Sequence, residues 1–471
     1  MLVKSAGWSI FGTLGAKALT LLTYVLVSRQ VDPEVFGPLV FAMLLLDFFA
    51  VIGTGGAREN YIRIERVNDV IKQGAFLYSL SVGVVMSILF VFLFILADFN
   101  GYFSGPSLVY WLLSPIPLLV SVCGFYQGVL ERDGQFKKLA MRTIFISFVV
   151  GLCGVSLALL QYGVLSLVIA RLAGPIVNLY ILRKIVKFSP SYHFGWKSLG
   201  RIWEFGKSLI LSSSLNFFSG RIFEFTAFFT FGPVGIAAVD VGRKIFITLT
   251  SVILAPLNPV SLSYISRSNQ PRLLYFRFID LVSSAVIPVF ALISSFSDII
   301  ILFVFGEKWE GSSVYMVTFG FLIVPQLATW YVHNLFIRYS RPDRVVVLNI
   351  MNLLFLIVSF IVSLLLEFDL AHSMLCLVMT LYFSAVIKFF YISSALEVYF
   401  PKLLFGLVVN FIYFTTLFFV ARYSFDFILN MSFEYVNLTS KFFMAIIHCL
   451  FLWVLTLPIS LVCYRRLKRV L

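Results

Sequence analysis

The sequence predicts an all-α integral membrane protein of about fourteen transmembrane helices: two six-helix bundles followed by two extra C-terminal helices. Three observations carry this prediction. Of 471 residues, 60% are hydrophobic and only 12% charged, and the mean hydropathy is +0.99. That leaves too little polar surface for a soluble domain of this length. Apolar stretches of about 20 residues, the length that crosses a bilayer core as a helix, recur from end to end. Finally, the basic residues crowd onto alternate connections between those stretches.

The spans read in order as follows. The first, 7–28, follows Lys4 and resembles a signal peptide, but it has no small-x-small cleavage site and is long enough to cross, so it reads as a retained helix. Spans at 35–57 and 75–97 are separated by Arg58, Arg63, Arg66 and Lys72. Spans at 107–130 and 143–162 flank Arg132, Lys137, Lys138 and Arg142. The sixth, 164–182, leads into a basic stretch, 183–206, with the character of an amphipathic interfacial linker. Spans at 208–230, 236–265 and 279–304 follow, the last two separated by Arg267, Arg272 and Arg277. Spans at 313–336 and 345–366 flank Arg338, Arg341 and Arg344. The remaining spans are 370–392, 402–421 and 442–463, with Lys388 and Lys402 at the facing inner ends of the first two and a basic tail after the last.

An even number of spans puts both termini on one side. With the N-terminus inside, 27 of the 36 Lys and Arg fall in inner segments, 4 in outer segments and 5 within spans. The net charge of +14 is therefore membrane topology and not a nucleic-acid patch. The loops are short, the longest outer one being 422–441, so there is no room for a soluble catalytic domain. Its sequons at Asn430 and Asn437 read as chance matches. Cys123, Cys153, Cys376, Cys449 and Cys463 are far apart and lie in or beside apolar runs, without metal or disulfide spacing. His193, His333, His372 and His448 are isolated and read as packing or interfacial residues.

An internal repeat organises the spans. "VDPEVFG" at 31–37 and "FGPVGIA" at 231–237 each follow an outward-going helix, with Pro33 and Pro233 200 residues apart. The domain reading is a bundle at 1–182, a cytoplasmic linker at 183–206, a second bundle at 207–392, and two added helices with a basic tail at 393–471. Six spans per half make the halves parallel repeats about an axis along the membrane normal, an architecture that places a transport path between them.

Eight charged residues fall within the spans: Lys17, Asp47, Arg171, Arg221, Glu224, Asp240, Arg243 and Lys244. A charge at the bilayer centre costs at least about 2.5–3.5 kcal/mol, so these should pair or face water. Arg221 and Glu224 share one helix face at i,i+3, and Asp240, Arg243 and Lys244 share another. Each group reads either as a neutralised packing pair or as part of a polar path. Asp47 reads equally as the partner of Lys17, beside Gly12 and Gly15. Arg171 precedes Gly174 and Pro175, which predict a kink. The eight sum to a net positive charge, which suits an anionic cargo and a guanidinium–phosphate bond.

At these residues the chain resembles a family. "NFFSGRIFEFTAFFTFGPVGIAAVDVGRKIF" at 216–246 is similar to the start of the second half in Wzx-type polysaccharide flippases of the multidrug/oligosaccharidyl-lipid/polysaccharide exporter superfamily. Arg221 matches the family arginine, Glu224 stands where an aspartate is usual, and Gly232 and Pro233 match the hairpin; Val234 and Ala237 depart from it. "VDPEVFGPLVF" at 31–41 keeps Pro33, Glu34 and Gly37, while "LFVFGEKWEGSS" and "YSRPDRVVVLN" resemble further family segments.

The resemblance implies a MATE-like fold in the bacterial inner membrane and no enzymatic activity. It implies alternating-access translocation of an undecaprenyl-diphosphate-linked oligosaccharide repeat unit for surface polysaccharide such as O-antigen. Lys17, Arg171, Arg221, Arg243 and Lys244 would then form a cationic lumen, with Asp47, Glu224 and Asp240 tuning charge or coupling to H⁺ or Na⁺. No cofactor or metal is expected. Partners would be the lipid-linked substrate, membrane lipids, a polysaccharide polymerase and a chain-length regulator. The rival readings are a cation-coupled small-molecule exporter, a membrane polysaccharide polymerase and a peptidoglycan-precursor flippase.

Overall fold

A computed structural model of the chain describes residues 17–54, 58, 61, 69–99, 108–188, 196–254, 257, 261, 265, 268, 270–339, 343–396, 399–432 and 437–468. Among these, every regular element is helical and no strand occurs. Gly12, Gly15, His193 and Ser340–Pro342 lie outside the described residues, as does the side chain of His333.

Helix α1 is described from 17 to 30 and meets α2, Pro33–Thr54, across the short turn at Val31 and Asp32. Pro33 opens α2, where its missing N–H would have no helical partner anyway. Next come α3, Asp69–Phe99, then a short turn Leu108–Leu113 broken at Ser114–Pro115, and α4, Ile116–Arg132. Helices α5, Phe136–Leu159, and α6, Val164–Val186, follow. The helix α6 runs through Gly174 and Pro175, and the Pro175 carbonyl accepts a bond from the Cys123 thiol at 3.7 Å.

Helix α7 is a single helical run, Trp196–Ile253, and it is too long to be one span. It breaks at Gly232, whose φ of 68° and ψ of −159° belong to a region open essentially to glycine alone. The two expected spans are therefore joined by a turn with almost no loop. The start of α7 at Trp196 places the second part of the expected 183–206 linker in helix, and the first part completes α6.

The C-terminal part continues with α8, Pro271–Ser295, and α9, Ser297–Val304. A 3-10 turn, Glu307–Ser312, buries Trp309. Helices α10, Ser313–Phe321, α11, Ile323–Trp330, and α12, Val332–Arg338, together make the tenth expected span. Then come α13, Asp343–Leu365, α14, Leu370–Leu396, α15, Phe400–Ser432, and α16, Leu438–Lys468. Asp369 caps α14 by accepting from the His372 N–H at 2.7 Å and meeting the His372 ring, and these bonds hold its carboxyl below the usual carboxylate range.

Twelve described helices are long and apolar enough to cross a membrane. The break at Gly232 divides one of these into two spans, and α1 supplies the remaining expected helix. The protein is thus a multi-pass, all-α membrane protein. Large exposed apolar side chains such as Ile88, Phe145, Phe383 and Phe451 are what lipid contact requires. The expected outer loop 422–441 is mostly helix, since α15 continues to Ser432 and includes Asn430.

The chain divides into two compact units, one of Met1–Arg221 with Gly232–Ala237, the other of Ile222–Phe231 with Ala238–Leu471. In the first, α4 is the centre, packed against α2, α3 and α6. Ser121 ties three helices together by donating to the carbonyls of Gly53 and Ser79 at 2.7 and 2.6 Å. Phe76, Phe125, Tyr126 and Phe188 form an aromatic cluster of edge-on and tilted contacts. In the second unit, α8 is the centre, packed against α15 and α16.

Candidate functional site

The in-span charges fall into two groups with different surroundings. In the first unit, the Asp47 carboxylate on α2 accepts from two guanidiniums. Arg171, from the second turn of α6, meets one oxygen, and Arg221, from α7, meets the other at 3.3 Å. The three come from sequence positions 124 and 174 residues apart. Neighbouring Phe48 packs against Phe217 and Phe218 at 5.5 and 4.9 Å between centroids, which sets the position of Arg221 beside α2. Side-chain exposure is 42% for Arg171, 33% for Asp47 and 31% for Arg221. None of the three is buried.

Asp47 thus pairs with Arg171 and Arg221 rather than with Lys17, the partner that sequence proximity offered. Among the described residues Lys17, half-buried on α1, makes no ion pair.

In the second unit, Glu224 is 1% exposed and bonds Arg243 of the opposite arm of α7. The Arg243 guanidinium also lies over the rings of Phe223 and Phe319, at 5.2 and 5.5 Å. Lys244 approaches Asp240 at 4.0 Å on one face of the same arm, as the i,i+4 spacing requires. Arg243 thus meets Glu224, and Lys244 meets Asp240.

Energetics separate the two groups. Half-exposed ion pairs are worth about 1 kcal/mol or less, so the arginines of Asp47 can exchange their partner for a better anion. Removing one partner of a buried pair costs about 3–5 kcal/mol, so Glu224 and Arg243 hold one another in place. A phosphate accepting bidentate bonds from two guanidiniums is the natural exchange partner for Asp47.

The repeat hairpins also meet in the first unit. A Cβ at Gly37 would run into the carbonyl of Pro233. Only glycine at 37 lets the start of α2 approach the hairpin at Gly232–Pro233 so closely.

Two polar contacts lay beyond sequence reasoning. Lys388, which the charge count places at the inner end of a span, stays in α14 and donates to Asn352 of α13 at 2.7 Å. Arg422, expected in an outer loop, lies in α15 and donates to both oxygens of Asp298 at 2.9 Å. The signal available for each was only its distance from the nearest turn residue. Among the described residues no group of three His, Cys, Asp or Glu could hold a metal.

Residues 26–314 match the family described as polysaccharide biosynthesis protein. The chain belongs to this family. A relative, the succinoglycan biosynthesis transport protein ExoT of Rhizobium meliloti (strain 1021), is 25% identical over 215 residues, covering 45% of this chain and 43% of that protein. The chain thus spans less than half the length of that relative. Among solved structures, the lipid II flippase MurJ superposes with a TM-score of 0.73 at 13% identity, over 98% of this chain and 99% of that one. A multidrug resistance MATE family transporter of the MOP superfamily superposes with a TM-score of 0.62 at 15% identity, over 82% and 95%. The polysaccharide family member described here thus has the fold of MOP-superfamily transporters.

Proposed function

We propose that this protein flips an oligosaccharide linked to a polyprenyl diphosphate across the bacterial inner membrane, by alternating access between its two halves. The observation that carries the reading is the Asp47–Arg171–Arg221 cluster: two partly exposed arginines sharing one carboxylate on a transporter fold. Family membership and the relative's printed role in succinoglycan transport point the same way. Arg171 and Arg221 receive the diphosphate as Asp47 releases them, while the hydrocarbon tail stays in lipid. Lys17, Arg243 and Lys244 add further positive charge for the substrate, the last two held by Glu224 and Asp240. Transport itself needs no cofactor; an H⁺ or Na⁺ gradient drives it. Both termini face the cytoplasm, and the polymerase and chain-length regulator of the same polysaccharide take over the product.

The test is made in a strain lacking the gene, with surface polymer and lipid-linked intermediates assayed together. Loss of polymer with repeat units retained on the cytoplasmic face is the expected result. Unpolymerised units at the outer face would make the protein a polymerase instead. Unchanged polymer with altered sensitivity to cationic drugs would make it a small-molecule exporter. Re-expression of Arg221→Ala at normal abundance should fail to restore the polymer; full restoration removes Arg221 from the path.

A further inference from the structure

Several in-span or membrane-edge cations of this protein have an acidic partner: Arg58 has Glu131, Arg171 and Arg221 have Asp47, Arg243 has Glu224 and Arg422 has Asp298. Arg183 and Lys184, in the last turn of α6, differ. Among the described residues neither pairs with a carboxylate. The Lys184 ammonium sits over the Tyr180 ring at 4.5 Å. Arg183 is exposed one position before Lys184. Two cations thus stand at consecutive exposed positions, and among the described residues neither meets an anion.

They form the rim of a groove of about 440 Å³ whose walls are Leu119 of α4 and Ile176, Leu179 and Tyr180 of α6. The size falls in the range of about 300–1,000 Å³ usual for ligand sites. Ile176 and Arg183 are seven residues apart, or about 10 Å along the helix, so the groove runs from apolar wall to charged rim on one side of α6. Ile176 is 48% and Tyr180 60% exposed. Membrane topology alone would place cations at this helix end. It does not supply an open apolar slot beside them, nor a ring beneath Lys184. Tyrosine at such a height, apolar in its ring and polar at its tip, marks a membrane–water boundary.

We infer that this groove binds an anionic phospholipid of the cytoplasmic leaflet, one acyl chain against Leu119 and Ile176 and the phosphate on Arg183 and Lys184. The charge complementarity decides the occupant: a zwitterionic headgroup would bring its own ammonium to a rim that already carries two cations. The site lies apart from the Asp47 cluster on the same helix and goes beyond the flippase reading, sharing with it only the sidedness taken from the Lys and Arg distribution.

The experiment uses the full chain carrying Tyr180→Trp, which keeps a ring beneath Lys184. It is reconstituted in phosphatidylcholine vesicles doped with dibrominated phosphatidylglycerol or dibrominated phosphatidylcholine, and fluorescence is read as the difference from the chain with its seven native tryptophans. Phosphatidylglycerol should quench at a several-fold lower mole fraction, and adding Lys184→Ala should weaken that preference about fivefold. A control at Leu365→Trp, 76% exposed on another helix, should show no preference. Equal quenching by the two lipids at position 180 would overturn the proposal. So would recovery of fluorescence with equimolar undecaprenyl phosphate, which would make the occupant the carrier lipid, or with inorganic phosphate, which would leave only an anion site. Because quenching does not read transport, failure here and failure of the flippase reading remain distinguishable.

Discussion

Arg221 and Arg243 each meet a carboxylate, but the Asp47 side chain is 33% exposed and the Glu224 side chain 1%. That difference in solvation gives opposite expectations for removing the acid. Asp47→Asn frees two guanidiniums that remain solvated, so stability should change by about 1 kcal/mol or less. Affinity for inorganic pyrophosphate, titrated calorimetrically on purified protein, should rise about fivefold, since 1.4 kcal/mol is tenfold. Unchanged affinity would show that Asp47 does not compete with anions for these arginines. Glu224→Gln strands a buried cation and should cost about 3–5 kcal/mol, visible as a lower melting temperature and yield. If that variant melts like the parent, the buried pair is not what holds the two arms of α7.

At the scale of elements, the turn at Gly232 carries the most specific expectation. A Cβ there is forced into a conformation that costs about 1–3 kcal/mol, so Gly232→Ala should lower the melting temperature measurably. Gly37→Val should do the same by pushing α2 off the Pro233 carbonyl. Retained stability in both would mean the hairpins reposition freely. Span positions were legible because a twenty-residue apolar run has few alternatives in a chain this hydrophobic. The Gly-Pro of "FGPVG" announced the break in α7 but not that almost no loop would follow. The partner of Asp47 was not legible: Lys17 was near in sequence, whereas Arg171 and Arg221 reach it only through the packing of α6 and α7 beside α2. The extension of α15 past 421 was hidden because Arg422 and Asp426 look like loop residues until Asp298 is known to receive the arginine. The last two helices are likewise explained only by packing, since both lie on α8, where Phe296 and Phe425 meet edge-on at 4.8 Å.

For the whole molecule, the sidedness that the basic residues predict can be read on a single helix. α6 has 23 residues, about 34 Å, enough to span the hydrocarbon core. Leu160 and Lys187 are exposed at its two ends. In a background with the five native cysteines replaced, Leu160→Cys should react with an impermeant maleimide on intact spheroplasts. Lys187→Cys should react only after the membrane is opened. The reverse pattern would invert the topology and with it the direction of transport.

The fold-back of α7 at Gly232 also bears on how the chain enters the membrane during synthesis. Presented singly, the arm before the turn carries Glu224 and the arm after it carries Arg243, each charge costing about 2.5–3.5 kcal/mol on insertion scales. Presented together as a tight hairpin, the two charges already face one another. The pair can then pass from the translocation channel into lipid as a neutral unit. The turn that lacks a loop thus keeps the arms close enough for the second half to begin its insertion as two helices at once.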